Sequence, residues 1–506
     1  MSLLRALQTE QQKGPKKQTA NRQRGREQKG RAEEVIFDPQ TPILALGTSG
    51  RALRGRDLDE GVFVAGAPGS GKSSTIGVEA PLAALKAGAS VVFFTEKEGD
   101  EARALAITKA AGREADVSVM RVGGDVKNNL VDTAFRFGGV EEVVATIGVA
   151  ARAVGPENSV GRSDDKTWQT AGDNSVRFCC DLSVAAGSEL SLEHLAELIA
   201  TAPTSKKEAA VLRELEKLLG EGSMRPEDLT TFQRDWIKAG WNFRKGNCPL
   251  DPNTLRAMQR YWLHQFPGLS DKTLSSVRFS MENSIIALTR GAIADLCTSE
   301  TTFDFSSLRS RKVLILALPP ARYGTAGRAI QTMVLYLVQR QLERDEHRGG
   351  HRLRPVMLFI DEAQSYVNDE LVEFLARARS SRAWTVLITQ SFAGIRRKLG
   401  PESTNALLEV LNTKILFAPA DRDTAEISSA LIGEEWNFEP TLSSSGGYTF
   451  NDQKRRMVEP EEFMDLERGG RDFDFLVRSF VFKPSTRWGP NGENFLEVVW
   501  KQRRNL

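Results

Sequence analysis

The run Gly66-Ala67-Pro68-Gly69-Ser70-Gly71-Lys72-Ser73 constrains this chain more than any other stretch of it. It satisfies G-x-x-x-x-G-K-[ST] in full. Its flanks fit as well: Val62-Phe63-Val64-Ala65 reads as a buried strand, and Ser74 to Lys86 reads as a helix. Glycines at these positions let the backbone turn its N–H groups inward around phosphate oxygens, and the helix N-terminus adds positive potential. The pattern implies a cradle for ATP with Mg²⁺ built from Gly66 through Ser74. Lys72 is then set to reach the β- and γ-phosphates, and Ser73 to hold the metal.

The segments after the loop fix the fold class. An apolar strand is expected at Ser90–Thr95, a helix at Asp100–Ala111 and a strand at Val117–Val122. Strands separated by helical stretches of this size form parallel βαβ units. Gly155–Lys166, rich in Gly, Asp and Ser, reads as a loop. From Leu190 to Asp295 the pattern becomes helical throughout, with segments at Lys206–Leu219, Glu227–Ala239, Pro252–His264 and Asp271–Leu296. Strand patterns return at Lys312–Leu318, Val356–Ile360, Trp384–Thr389 and Thr413–Phe417, with a long helix at Ala326–Arg344. The expectation is an α/β fold with a mostly parallel sheet, interrupted by an inserted all-α domain. Its parts are a basic tail at 1–40, nucleotide-binding segments at 41–187 and 298–506, and the helical insertion at 188–297.

Charge and cysteine usage narrow the setting. Residues 1–32 carry nine Lys/Arg against Glu10 and Glu27; this +7 tail, in a chain of net charge +2, leaves −5 elsewhere. Little in Gln8–Arg31 can bury itself, so disorder is expected there. Such an arm suits DNA phosphates, an anionic membrane surface, or plain solvation. The four cysteines, Cys179, Cys180, Cys248 and Cys297, lack metal-ligand spacing and suit a reducing cytoplasm. No apolar run reaches the ~18–20 residues of a membrane span, and no signal peptide is visible, so a cytoplasmic location is expected, with a peripheral place at the cell membrane left open.

The remaining chemistry lies in the second half. Pro355-Val356-Met357-Leu358-Phe359-Ile360-Asp361-Glu362 is an apolar strand tipped by two carboxylates. Beside a phosphate loop, Asp361 is placed for the metal shell and Glu362 to orient and polarise a water. Thr385-Val386-Leu387-Ile388-Thr389 ends at Gln390, an amide able to sense the γ-phosphate or that water. Arg377, Arg379 and Arg382 precede this strand and offer a guanidinium for a neighbouring subunit's nucleotide.

These motifs, taken in order, resemble the conjugative coupling proteins of type IV secretion (TraG/TraD-like), ATPases of the FtsK–HerA branch. The resemblance runs from about residue 60 to 485. It rests on Gly77-Val78-Glu79-Ala80-Pro81-Leu82, the charged turn Thr95-Glu96-Lys97-Glu98-Gly99-Asp100, Asn129-Leu130-Val131-Asp132 and Trp168 with Ala171. Further on it rests on Ala376–Arg382 leading to Gln390-Ser391, Thr424–Gly433 and Arg455–Phe463. The family's charged turn usually reads Asp-x-Lys-Gly-Glu, and a proline usually precedes the residue matched by Asp132. Its members usually carry N-terminal transmembrane helices, and none is visible here.

The resemblance implies a RecA-like phosphate-loop domain, a homo-hexamer, and ATP hydrolysis that drives DNA or a relaxase–DNA complex toward a secretion channel. It implies relaxase and channel proteins as partners, with a further partner able to tether the ring to a membrane. It makes Arg379 the arginine acting across subunits, with Lys72, Glu362 and Gln390 as the other catalytic groups. Arg162, Lys166, Arg396, Arg397 and Lys398 are the candidate DNA contacts. Two other readings stay open: a soluble HerA/FtsK-like translocase serving repair, segregation or packaging, and a substrate receptor in which ATP is structural.

Overall fold

Strands buried along their whole length need cover on both faces, and this chain supplies several. In the computed structural model, which describes residues 37–154, 163–220, 225–275, 278, 288–298, 300–349, 353–442, 448–489 and 492–503, they assemble into one nine-stranded sheet. The described strands are β1 (Pro42–Ala45), β2 (Ala52–Arg54), β3 (Val62–Ala65), β4 (Ser90–Phe94), β5 (Val117–Met120), β6 (Val313–Leu316) and β7 (Val356–Ile360). They continue as β8 (Ala383–Thr389), β9 (Thr413–Phe417), β10 (Glu434–Leu442), β11 (Tyr448–Arg456), β12 (Leu476–Phe482) and β13 (Phe495–Lys501). The sheet order is β13-β12-β9-β3-β8-β7-β4-β6-β5. From β9 to β5 every pairing is parallel; β12 and β13 join antiparallel at one end.

The β3, β4, β6, β7, β8 and β9 segments carry near-continuous apolar runs because both faces are covered. Alternate residues go to opposite faces. Val62, Val64, Val91, Phe93, Val313, Ile315, Met357, Phe359, Val386 and Ile388 share one core with Ile76, Val78, Leu82 and Leu85 of the helix Ile76–Lys86. Near the start of the described chain, Phe37 packs edge-on against Trp384, ring centroids 5.3 Å apart. Asp59 accepts from Arg382 Nη1 at 2.6 Å and from Trp384 Nε1 at 2.9 Å, with both charged side chains buried.

The described chain separates into two compact units. The sheet unit comprises Val35–Asn128, Arg152–Asn158 and Ser299–Leu506, and the helical unit Asn129–Ala151 and Ser159–Thr298. The helical unit therefore begins at Asn129, well before the expected boundary at 188. Leu130, Val131 and Ala134 of the helix Leu130–Gly138 are buried, and the helix Ser163–Ala186 packs on the helix Thr231–Arg244. Asn129 caps the first of these helices, its side chain accepting from Asp132 N–H at 3.1 Å. Ser191, Thr230 and Asp251 cap later ones in the same way.

Aromatic packing holds the helical unit. The helix Pro252–Arg260 runs into one π-turn, Tyr261–Gln265, and buries Tyr261 and Trp262 together. Tyr261 stacks on Phe178 with centroids 4.4 Å apart, and Trp262 meets Phe232 and Phe266 at 4.9 and 5.0 Å. Asp181 is buried here, and burial pushes its carboxyl up to about 6. A carboxyl raised in the folded state adds stability below its unfolded value near 3.8, and that stability is lost as pH rises through about 6. Asp181→Asn is therefore expected to stabilise the unit by up to about 3 kcal/mol at pH 8, with the gain vanishing near pH 4. Denaturant unfolding across that range checks it.

Several local expectations shift. The helix after the phosphate loop starts at Ile76 rather than Ser74, because residues 72–75 form turns closed by Gly77 N–H to Lys72 O at 2.8 Å. Ser163–Lys166, expected as loop, is already helical. The helix expected at Ala326–Arg344 spans Pro320–Gly349 with a break at Gly324, φ 58°. Of the helix expected at Asp271–Leu296, residues 271–275, 278 and 288–298 are helical apart from Arg290, and the rest lies outside the described residues. The hairpins β1–β2 and β10–β11 were not expected from sequence. The basic tail to residue 36 lies outside the described residues.

Candidate nucleotide site

Sheet topology brings the site together. The phosphate loop leaves the carboxyl end of β3, Gln390 follows β8, and Asp361-Glu362 follow β7, on strands adjacent in the order β3-β8-β7. All three run parallel, with Ala65 level with Thr389 and Ile360 level with Leu387, so their tips share one edge. Strands pair about 4.8 Å apart, which sets the loop strand and the carboxylate strand roughly 10 Å from each other.

The glycines of the loop are needed where they stand. A Cβ on Gly66 would lie 2.6 Å from Phe417 Cβ, and one on Gly71 would lie 2.6 Å from a Val477 methyl, at φ 86°. Lys72 is buried, and its Nζ donates to the carbonyls of Gly66 and Ala67, the latter at 2.8 Å. Burial brings this ammonium down to about 8, against the pull of Asp361 and Glu362. Ser74 Oγ donates to Gly71 O at 3.1 Å and accepts from Gln502 Nε2 at 2.8 Å, while Arg503 N–H donates to Ser74 O. The residues following β13 thus pin the start of the helix. Sequence reading missed them because nothing local marks Gln502 or Arg503.

The two carboxylates differ. Burial, with Glu362 and Asp100 close by, pushes Asp361 up to about 6. For Glu362 burial pushes upward, but hydrogen bonds from Lys97, Gln364 and Gln390 outweigh it and hold the carboxyl below the usual range. Glu362 sits in the left-handed region at φ 53°, with its N–H donating to Asp361 Oδ1 at 2.9 Å. Gln390 Nε2 donates to Glu362 Oε1 at 2.6 Å and Gln364 Nε2 to Oε2 at 2.9 Å. Lys97 and Gln364 carry no local mark of a site role in the sequence, although Lys97 lies in the charged turn that contributes to the family resemblance.

The donor set fits a triphosphate and a divalent cation. The glycine cradle and the buried Lys72 offer N–H donors to phosphate oxygens, and the Ser73 hydroxyl and the half-buried Asp361 carboxylate are hard oxygen ligands suited to Mg²⁺.

Arg379 lies elsewhere. It precedes β8, at the amino edge of the sheet, and the length of β8 separates it from Gln390 by on the order of 20 Å. It is exposed and sits 3.6 Å from Glu60. An open cavity of 1110 Å³ at that edge is lined by Arg340, Arg344, Arg377, Arg379, Arg382 and Asp59 among others. Arg396 and Arg397 are exposed on the helix Phe392–Val410, with Lys398 half-buried. Arg162 lies outside the described residues, as does the side chain of Lys166.

Residues 355–468, from the carboxylate strand through β8, β9 and the β10–β11 hairpin, match the family described as the TraM recognition site of TraD and TraG. Over this segment the chain resembles TraD and TraG. Its fold agrees over nearly the whole length. The unbound bacterial conjugative coupling protein TrwBdeltaN70 matches at 16% identity and TM-score 0.60, covering 93% of this chain and 90% of that one. Plasmid coupling protein TrwB in complex with the ATP analogue ADPNP matches at 15% identity and TM-score 0.58, over 93% and 91%. TrwB in complex with ADP and Mg²⁺ matches with the same values. No curated protein sequence matches. The RecA-like fold read from the TraG/TraD resemblance is the fold found, a mostly parallel sheet with a helical unit. Among the described residues no helix is long and apolar enough to cross a membrane.

Proposed function

We propose that the chain is an ATP-driven DNA motor of the coupling-protein kind, passing DNA or a relaxase–DNA complex to a secretion channel. The observation that carries this is the β3-β8-β7 order, which sets the phosphate loop, Gln390 and the Asp361-Glu362 pair on one edge. The TraG/TraD segment and the TrwB fold support DNA as the cargo.

On this reading the loop N–H groups and Lys72 hold the β- and γ-phosphates, and Ser73 and Asp361 hold Mg²⁺. Mg²⁺, when bound, neutralises charge on the transferring phosphoryl group. Glu362 orients the attacking water and takes its proton, and Gln390, bonded to Glu362, links that event to the helix Phe392–Val410. Arg379 is too far from its own loop to act there, so it serves the nucleotide of the next subunit in a hexamer. Arg396, Arg397 and Lys398 are proposed DNA contacts, gripping phosphates without reading sequence.

ATPase rate measured against protein concentration, with and without DNA, tests the assembly and the substrate together. The expected result is a superlinear rise with concentration, stimulation by DNA, and a steep loss of DNA affinity with salt. A rate strictly proportional to protein and indifferent to DNA at every salt concentration would count against both the ring and the cargo.

A further inference from the structure

Glu362 is held from three sides. Its Oε1 accepts from Lys97 Nζ at 2.9 Å and from Gln390 Nε2 at 2.6 Å, and its Oε2 accepts from Gln364 Nε2 at 2.9 Å. A carboxylate oxygen offers two lone-pair sites, so Oε1 has its full complement and Oε2 keeps one. A group that must orient a water and take its proton needs a free lone pair and its full basicity. The Lys97 ammonium fills the last acceptor site on Oε1 and, as a bonded cation, weakens the carboxylate as a proton acceptor at the site that remains on Oε2.

Lys97 differs from the two amides in charge and in exposure. Its side chain is 64% exposed, while the carboxylate it holds is 10% exposed. The turn that carries it is fixed: Asp100 Oδ2 accepts from the N–H groups of Glu96 and Lys97 at 2.9 and 2.8 Å. Thr95, just before, is clasped by Gln331 and by Tyr366 Oη, which donates to Thr95 O at 2.8 Å. A flexible cationic arm on a rigid base can leave the carboxylate without moving the sheet.

We infer that Lys97 is a detachable restraint on Glu362, holding it while the arm is docked and freeing it when a nucleic-acid phosphate backbone draws the ammonium away. This rests on reading the chain as a DNA motor. A duplex presents one negative charge per ~1.7 Å of its axis, so it competes well for an exposed ammonium held by one carboxylate. Lys97 is then a positioning residue that couples DNA engagement to hydrolysis, acting through Glu362 and not on the phosphates.

Steady-state ATPase of the full chain, with and without duplex or single-stranded DNA, tests this with wild type, Lys97→Met and Lys97→Arg. Lys97→Met is expected to raise the DNA-free kcat about two- to fivefold at unchanged KM for ATP, as befits losing one solvent-exposed ion pair. Stimulation by DNA should shrink by the same factor, and Lys97→Arg should keep the low DNA-free rate. A merely structural brace would instead give lower kcat in every arm, with the wild-type stimulation ratio. That result overturns the inference and leaves the motor reading standing. If wild type shows no ATP hydrolysis with or without DNA, the motor reading fails, and the inference fails with it.

Discussion

Glu362→Gln is expected to bind ATP within a few-fold of wild type and to lose about 10²- to 10⁴-fold in kcat, the range for removing a positioned general base. The amide keeps the shape of the carboxylate but cannot take a proton. It also cannot reproduce the hydrogen bonds around it. Lys97 and Gln390 donate to one oxygen and Gln364 donates to the other, so an NH₂ group must face a donor on one side. The amide oxygen is expected to take the Lys97 and Gln390 side, turning its NH₂ toward Gln364. Binding persists because the phosphate loop and Lys72 are untouched. Single-turnover assays with labelled ATP separate the two effects: nucleotide is retained on the protein, and product does not form. A variant that forms no product yet supports DNA transfer at the wild-type rate would leave the receptor with structural ATP as the surviving reading, and one that hydrolyses ATP at the wild-type rate would remove Glu362 as the base.

The parts of this site legible in the sequence are those whose chemistry is local. Gly66 to Ser73 announces itself because the glycine spacing, the lysine and the preceding buried strand lie within a dozen residues, and Asp361-Glu362 because an apolar strand ends in them. Gln390 stands at the end of another such strand, and parallel pairing turns these strand ends into one site. The hidden contacts need the sheet order to exist first. Lys97 reaches Glu362 across a sequence separation of 265 residues, and Gln502 reaches Ser74 across 428. The start of the helical unit was misplaced because Leu130–Gly138 and Val140–Val154 have the same amphipathic period as helices covering a sheet; which core they join is decided by packing, not by period. The β10–β11 hairpin was missed because polar residues interrupt its strands, with neither face reading as a buried run.

Arg379→Ala is expected to show the other large effect, a loss on the order of 10³-fold or more in kcat with ATP affinity little changed, as for removal of an arginine that stabilises the phosphoryl-transfer transition state. Folding should barely notice the change, since Arg379 is exposed and its approach to Glu60, at 3.6 Å, is that of a solvated pair. Arg377, two residues away, pairs with Glu343 at 3.0 Å and serves as the control, with Arg377→Ala expected to keep most activity. Position at the amino edge of the sheet makes the trans role decisive to test. In an equal mixture of Arg379→Ala and Lys72→Ala subunits, random assembly pairs an intact loop with an intact arginine at about a quarter of the interfaces of a cyclic ring. Each variant alone offers no such interface. ATPase activity should therefore reappear on mixing and subunit exchange, at up to about a quarter of the wild-type rate if interfaces fire independently and lower if they fire in sequence. A mixture as inactive as its components, with exchange verified by labelled subunits, would remove Arg379 from the neighbour's site and leave Arg377 or Arg382 as the guanidinium to examine at that edge.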